Sequence, residues 1–81
     1  MRFPEEITQD VVTRLRRLEG QIRGIQRLLD EGSECRDVVT QLAAVRGALD
    51  RVSFRLVAAA LAETDDETAT AELERLFLKL T

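Results

Sequence analysis

The 81-residue chain contains no histidine, no tryptophan and no tyrosine, and it has a single cysteine and a single proline. Without imidazole, hydrolytic dyads and triads built on histidine are ruled out, as are mixed Cys/His zinc centres. One cysteine cannot form an intrachain disulfide framework. No glycine-rich phosphate loop and no paired-carboxylate cleft is legible, so an enzyme is not expected. No apolar run is long enough to cross a bilayer, and Met1-Arg2-Phe3-Pro4-Glu5-Glu6 lacks the apolar stretch of a signal peptide. A cytoplasmic protein with no membrane partner and no cofactor is expected.

Helix formers fill the chain instead. Proline occurs only at Pro4 and glycine at four positions, so an all-α fold is favoured. Ile7, Val11, Leu15, Leu18, Ile22, Ile25 and Leu29 alternate steps of four and three residues, the pattern of a coiled-coil stripe. Asp30-Glu31-Gly32-Ser33 interrupts it, with Gly32 suited to a left-handed helix end and Ser33 or Glu34 placed to open the next helix. A second stripe follows through Val38, Leu42, Val45, Leu49, Val52, Leu56 and Ala59, and Thr64 to Glu67 offers a capping box for a shorter helix bearing Leu73, Leu76, Phe77 and Leu80. The expected helices cover about 6–31, about 34–63 and about 66–79 of one domain.

Eighty-one residues bury too little surface to be comfortably stable alone. Helix two carries a further apolar set, Val39, Ala43, Phe54, Val57 and Leu61, turned away from the stripe expected to face helix one. This second face reads as a subunit interface, most simply that of an antiparallel four-helix-bundle dimer. Gly20, Gly24 and Gly47 inside helices point to close helix approach or a kink.

The formal net charge of −3 conceals a basic belt. Arg14, Arg16, Arg17, Arg23 and Arg27 lie in one stretch of helix one against only Glu19, and helix two adds Arg51 and Arg55 on a polar strip. All are arginines, whose planar fork suits phosphates and guanine edges. Repeated by oligomer symmetry, the belt would neutralise several DNA phosphates at once. A solvated face paired with acids, on a helical structural or adaptor oligomer, is the alternative. Cys35 opens helix two beside Arg36, and helix N-termini and adjacent cations favour the thiolate form of cysteine.

The run Arg14-Leu15-Arg16-Arg17-Leu18-Glu19-Gly20-Gln21-Ile22-Arg23-Gly24-Ile25, followed by Cys35-Arg36-Asp37-Val38-Val39-Thr40-Gln41-Leu42, resembles the copper-sensitive operon repressor family, which includes metal-, formaldehyde- and persulfide-responsive bacterial repressors. The resemblance implies a three-helix protomer, an antiparallel dimer that pairs into a homotetramer, and operator DNA as partner, released when an effector occupies a site at the cysteine opening helix two. It also implies DNA-binding roles for Arg14 and Arg51; the belt adds Arg16, Arg17 and Arg55. The positions that complete the copper site in relatives hold Ala60 and Thr64 here, so no metal site of that kind is expected. Methyl and hydroxyl groups cannot replace soft sulfur and imidazole ligands. Pro4 lies behind Met1-Arg2-Phe3, away from the N-terminal amine that formaldehyde-responsive relatives use. Three readings of Cys35 stay open: single-thiol sensing of an electrophile or oxidant, which is favoured; a metal held with carboxylates such as Glu34, Asp37, Glu63 or Asp65; or an inducer site that has been lost.

Overall fold

A computed structural model describes residues 2–80 and consists of three α-helices: α1 (Glu5–Asp30), α2 (Cys35–Ala62) and α3 (Glu67–Leu78). The protein is all-α, with two long helices and a short C-terminal one. α1 and α2 pack along their lengths as a hairpin, and α3 packs on α2.

Local chemistry sets each break. After α1 the chain turns through Gly32 at φ +71°, while Gly32 N–H donates to the Leu29 carbonyl (3.1 Å) and Ser33 N–H to the Leu28 carbonyl (3.0 Å). This pair of bonds is a Schellman motif, and it satisfies carbonyls that the helix end would otherwise orphan. α2 starts at Cys35 with Glu34 at its N-cap and no side-chain cap. The capping box expected from Thr64 to Glu67 does not form. Asp66 is the N-cap of α3 and its carboxylate accepts from Thr68 N–H at 2.9 Å, while the Thr64 hydroxyl accepts from Asp66 N–H at 3.3 Å. Aspartate caps at least as well as threonine, and the hydroxyl is left to brace the turn before it.

The apolar stripes divide in a way the sequence reading did not anticipate. Val11, Leu18 and Ile25 of α1 are buried at seven-residue spacing, against α2 residues of the same spacing, Val38 and Val52 buried and Val45 half-buried. Most of the other half of each stripe is not covered: Leu15, Ile22 and Leu29 on α1 and Leu42 and Leu49 on α2 are exposed, with Leu42 at 50%, while Leu56 is half-buried. Each helix therefore fills one of its two core positions per heptad within the protomer. Of the second set on α2, Val39 is exposed, whereas Phe54, Val57 and Leu61 line a groove under α3 of about 480 Å³, where the Phe54 and Phe77 rings lie 5.5 Å apart. Gly20 and Gly24 face open space within the protomer, so close approach of α1 to α2 does not account for them.

The resulting shape is a slab of 51 × 24 × 13 Å, its thinnest dimension close to one helix diameter of about 10–12 Å. Its radius of gyration is 16.1 Å, against about 12 Å for a compact chain of this length. The accessible surface is 6546 Å², against about 4,900 Å² for a compact monomer of this mass.

At the one position with left-handed backbone, Gly32→Ala should lower stability by about 1 kcal/mol because a Cβ strains that conformation. Chemical denaturation of the two proteins checks this, and equal midpoints would contradict it.

Candidate functional site

The hairpin brings helix-one and helix-two arginines to one face. Arg14 and Arg17 of α1 and Arg51 of α2 line a shallow cleft of about 200 Å³ together with Gln21, Ala48, Leu18 and Val52. Leu18 and Val52 are buried core residues, so the cleft has an apolar floor and a rim of guanidinium and amide donors. No acidic residue lines it. Arginines so placed can offer several N–H donors each to a phosphate-sized anion, and the apolar floor supports their aliphatic stems.

Arg55 stands one helical turn beyond Arg51 and is joined to the cleft's rim by Asp10. Asp10 Oδ2 accepts from Arg14 Nε at 3.0 Å and forms an ion pair with Arg55 Nε at 2.6 Å, tying α1 to α2 across the surface. The hydrogen bond from Arg14, reinforced by the charges of Arg14 and Arg55, holds the Asp10 carboxyl below its ordinary value of 3.8. Asp10 escaped the reading of the sequence; the four-residue spacing from Asp10 to Arg14 was the available signal. Arg16 is exposed on α1 and does not line the cleft. The five arginines thus fall into a cleft trio, Arg14, Arg17 and Arg51, with Arg55 adjoining and Arg16 apart.

Cys35 lies elsewhere. It is the first residue of α2, exposed and unbonded to another sulfur, sixteen residues and about 24 Å of helix axis before Arg51. Ala60 sits near the other end of α2, buried, where it shares a cavity of about 290 Å³ with Phe3, Ala69, Leu73 and Leu76. Thr64 closes the turn that leads into α3.

Comparison with known proteins decides the family. The family described as metal-sensitive transcriptional repressor matches residues 7–79, nearly the whole chain. This chain belongs to that family. Among curated relatives of the repressor, the copper-sensing transcriptional repressor CsoR of Bacillus subtilis (strain 168) is 37% identical over 79 residues, covering 88% of this chain and 78% of the relative. The copper-sensing transcriptional repressor RicR of Mycobacterium tuberculosis (strain ATCC 25618 / H37Rv) is 52% identical over 44 residues, 54% of this chain and 46% of the relative. No solved structure matches the repressor.

Among the described residues no three His, Cys, Asp or Glu side chains converge, and the chain has one thiol and no imidazole. Glu34 and Asp37 stand beside Cys35 in the sequence, and carboxylates suit hard cations in preference to Cu(I). Among the described residues no helix is long and apolar enough to cross a membrane.

The Asp10 carboxyl should titrate below 3.8, and replacing Arg14 or Arg55 by Gln should raise its midpoint, as read by carbon-detected NMR. Because the folded value is depressed, the stabilising contribution of this carboxylate is complete at neutral pH and fades as pH falls through the lowered value. An unchanged midpoint in both variants would contradict the ion-pair geometry.

Proposed function

We propose that this repressor works as a homo-oligomer, a dimer that pairs into a tetramer, and grips operator DNA through Arg14, Arg16, Arg17, Arg51 and Arg55. The observation that carries the reading is the acid-free cleft in which Arg14, Arg17 and Arg51 converge from two helices. Phosphate contacts of this kind position a protein on a duplex and make binding strongly salt-dependent. The uncovered seam of Leu15, Ile22, Leu29, Leu42 and Leu49 supports the oligomer, as does a surface about a third larger than a compact monomer would expose. A second hairpin laid antiparallel on that seam would complete a four-helix core and repeat the arginine face by symmetry.

Release is assigned to Cys35. Its thiolate adds to the carbon of an aldehyde, forming a C–S bond while the oxygen takes a proton, or displaces hydroxide from a peroxide to give a sulfenic acid. Exposure of the thiol and the lack of partner donors favour such chemistry over copper. The positions that would complete a copper site hold a buried methyl group at Ala60 and a turn hydroxyl at Thr64. The names of the two relatives point to copper in those proteins, so Cu(I) belongs in the same test. A lost inducer site is the remaining reading, supported by the same lack of donors.

Charge reversal of Arg14 or Arg51 should weaken binding to the duplex upstream of the chain's own coding sequence by more than about tenfold and flatten the salt dependence. Fluorescence anisotropy across a salt series measures both, and intact binding in the variants would remove the cleft from the interface. Formaldehyde, peroxide and polysulfide should each add mass to the parent but not to Cys35→Ser, and lower DNA affinity of the parent alone by about fivefold or more, the lower range of allosteric coupling. Release by stoichiometric Cu(I), with no response to the other reagents, would overturn the electrophile assignment.

A further inference from the structure

Asp10 presents one carboxylate oxygen to two cations that the proposed interface needs. Oδ2 accepts from Arg14 Nε at 3.0 Å and pairs with Arg55 Nε at 2.6 Å, and the Asp10 side chain remains 35% exposed at the surface. An oxygen anion bridging two guanidinium groups on an open face stands where a backbone phosphate oxygen would otherwise bind. Asp10, Arg14 and Arg55 together carry a net charge of one cation instead of two, and a duplex approaching them meets a carboxylate between the two arginines. As a fastener the pair is weak, because exposed ion pairs contribute little to stability. Its electrostatic cost to DNA binding acts on every duplex alike, since phosphates carry no sequence information.

We infer that Asp10 is an affinity-setting residue, an internal competitor that occupies the Arg14–Arg55 pair in free protein and holds down binding to DNA of any sequence. The inference rests on the DNA-binding reading of the arginine face. Binding frees the two guanidinium groups by displacing Oδ2, or leaves them half-neutralised if it stays. Either way the carboxylate subtracts about one phosphate contact from the interface. Base contacts made elsewhere must then overcome a fixed penalty, so occupancy of unrelated DNA falls while the preference for the right sequence is kept.

The test compares parent, Asp10→Asn and Asp10→Ala on two duplexes, one of mixed sequence and one from upstream of the chain's own coding sequence. Anisotropy titrations across a salt series report affinity and slope, and thermal unfolding confirms that each variant is folded. Both variants should bind both duplexes about two- to fivefold more tightly, the scale of an exposed ion pair. The slope of log affinity against log salt should steepen by about 0.9 for each protomer that contacts the duplex, the signature of one additional phosphate neutralised per protomer. The gain should shrink on an Arg55→Gln background, where the second cation is missing. Unchanged or weaker binding by both variants would overturn the inference and make Asp10 a positioning clamp or a bystander. Tightening confined to one duplex would overturn it too, since a competitor for phosphate cannot read sequence. If the parent binds neither duplex even at low salt, both the inference and the DNA-binding reading fail; if the parent binds and the variants match it, only the inference fails.

Discussion

A half-filled heptad seam governs this molecule. α1 and α2 each carry two apolar positions per seven residues, and the hairpin covers one of them: Val11, Leu18 and Ile25 against Val38, Val45 and Val52. The outward row, Leu15, Ile22, Leu29, Leu42 and Leu49, stays in water, which is why the protomer is a slab barely thicker than one helix. From Val38 to Val52 the covered row of α2 is valine, short and β-branched, whereas the exposed Leu42 and Leu49 are leucine. The longer side chains project outward, the arrangement expected if they interdigitate with a second copy. With seven hydrophobic residues buried among the described residues, one protomer lacks the core that chains of this size require.

The same pairing builds the arginine face. Arg14 and Arg17 flank Leu18 on α1, while Arg51 precedes Val52 on α2, so each set of cations is fixed beside a residue of the buried seam. Register between the helices is thus also register between the cations. Sliding the hairpin by one heptad would separate Arg51 from Arg14 by about 10 Å and dissolve the cleft. Asp10 reinforces that register from the surface, bridging Arg14 and Arg55 across the helix boundary. Cys35 stands at the start of α2, the helix that carries Arg51 and Arg55. Chemistry at the thiol has a rigid element through which to act, and the proposal requires that a change at one end of α2 alter how the hairpins meet at the other.

Much of this was legible in the residues. The three helices followed from apolar spacing, and the Asp30-to-Ser33 break followed from a glycine that the backbone does place at positive φ. The family followed from the arginine and cysteine runs, which the match over residues 7–79 bears out. Two features were not legible. Thr64 and Asp66 are both competent N-caps two residues apart, and only the path of the turn decides that Asp66 bonds Thr68. The splitting of each stripe into an inner and an outer row depends on how the hairpin is rolled, which periodicity along one helix cannot reveal. Asp10 went unnoticed for a related reason. Its link to Arg14 is local, but its bond to Arg55 joins residues forty-five positions apart and exists only in the packed hairpin.

The half-filled core of one protomer is proposed to be finished by a second copy of the chain. Thermal unfolding followed across a hundredfold range of protein concentration tests it most directly, because only an assembly couples folding to mass action. The midpoint should climb steadily with concentration, in a single transition without a folded monomer at the dilute end. A midpoint independent of concentration would contradict it, showing that the slab is stable with its leucine row in water.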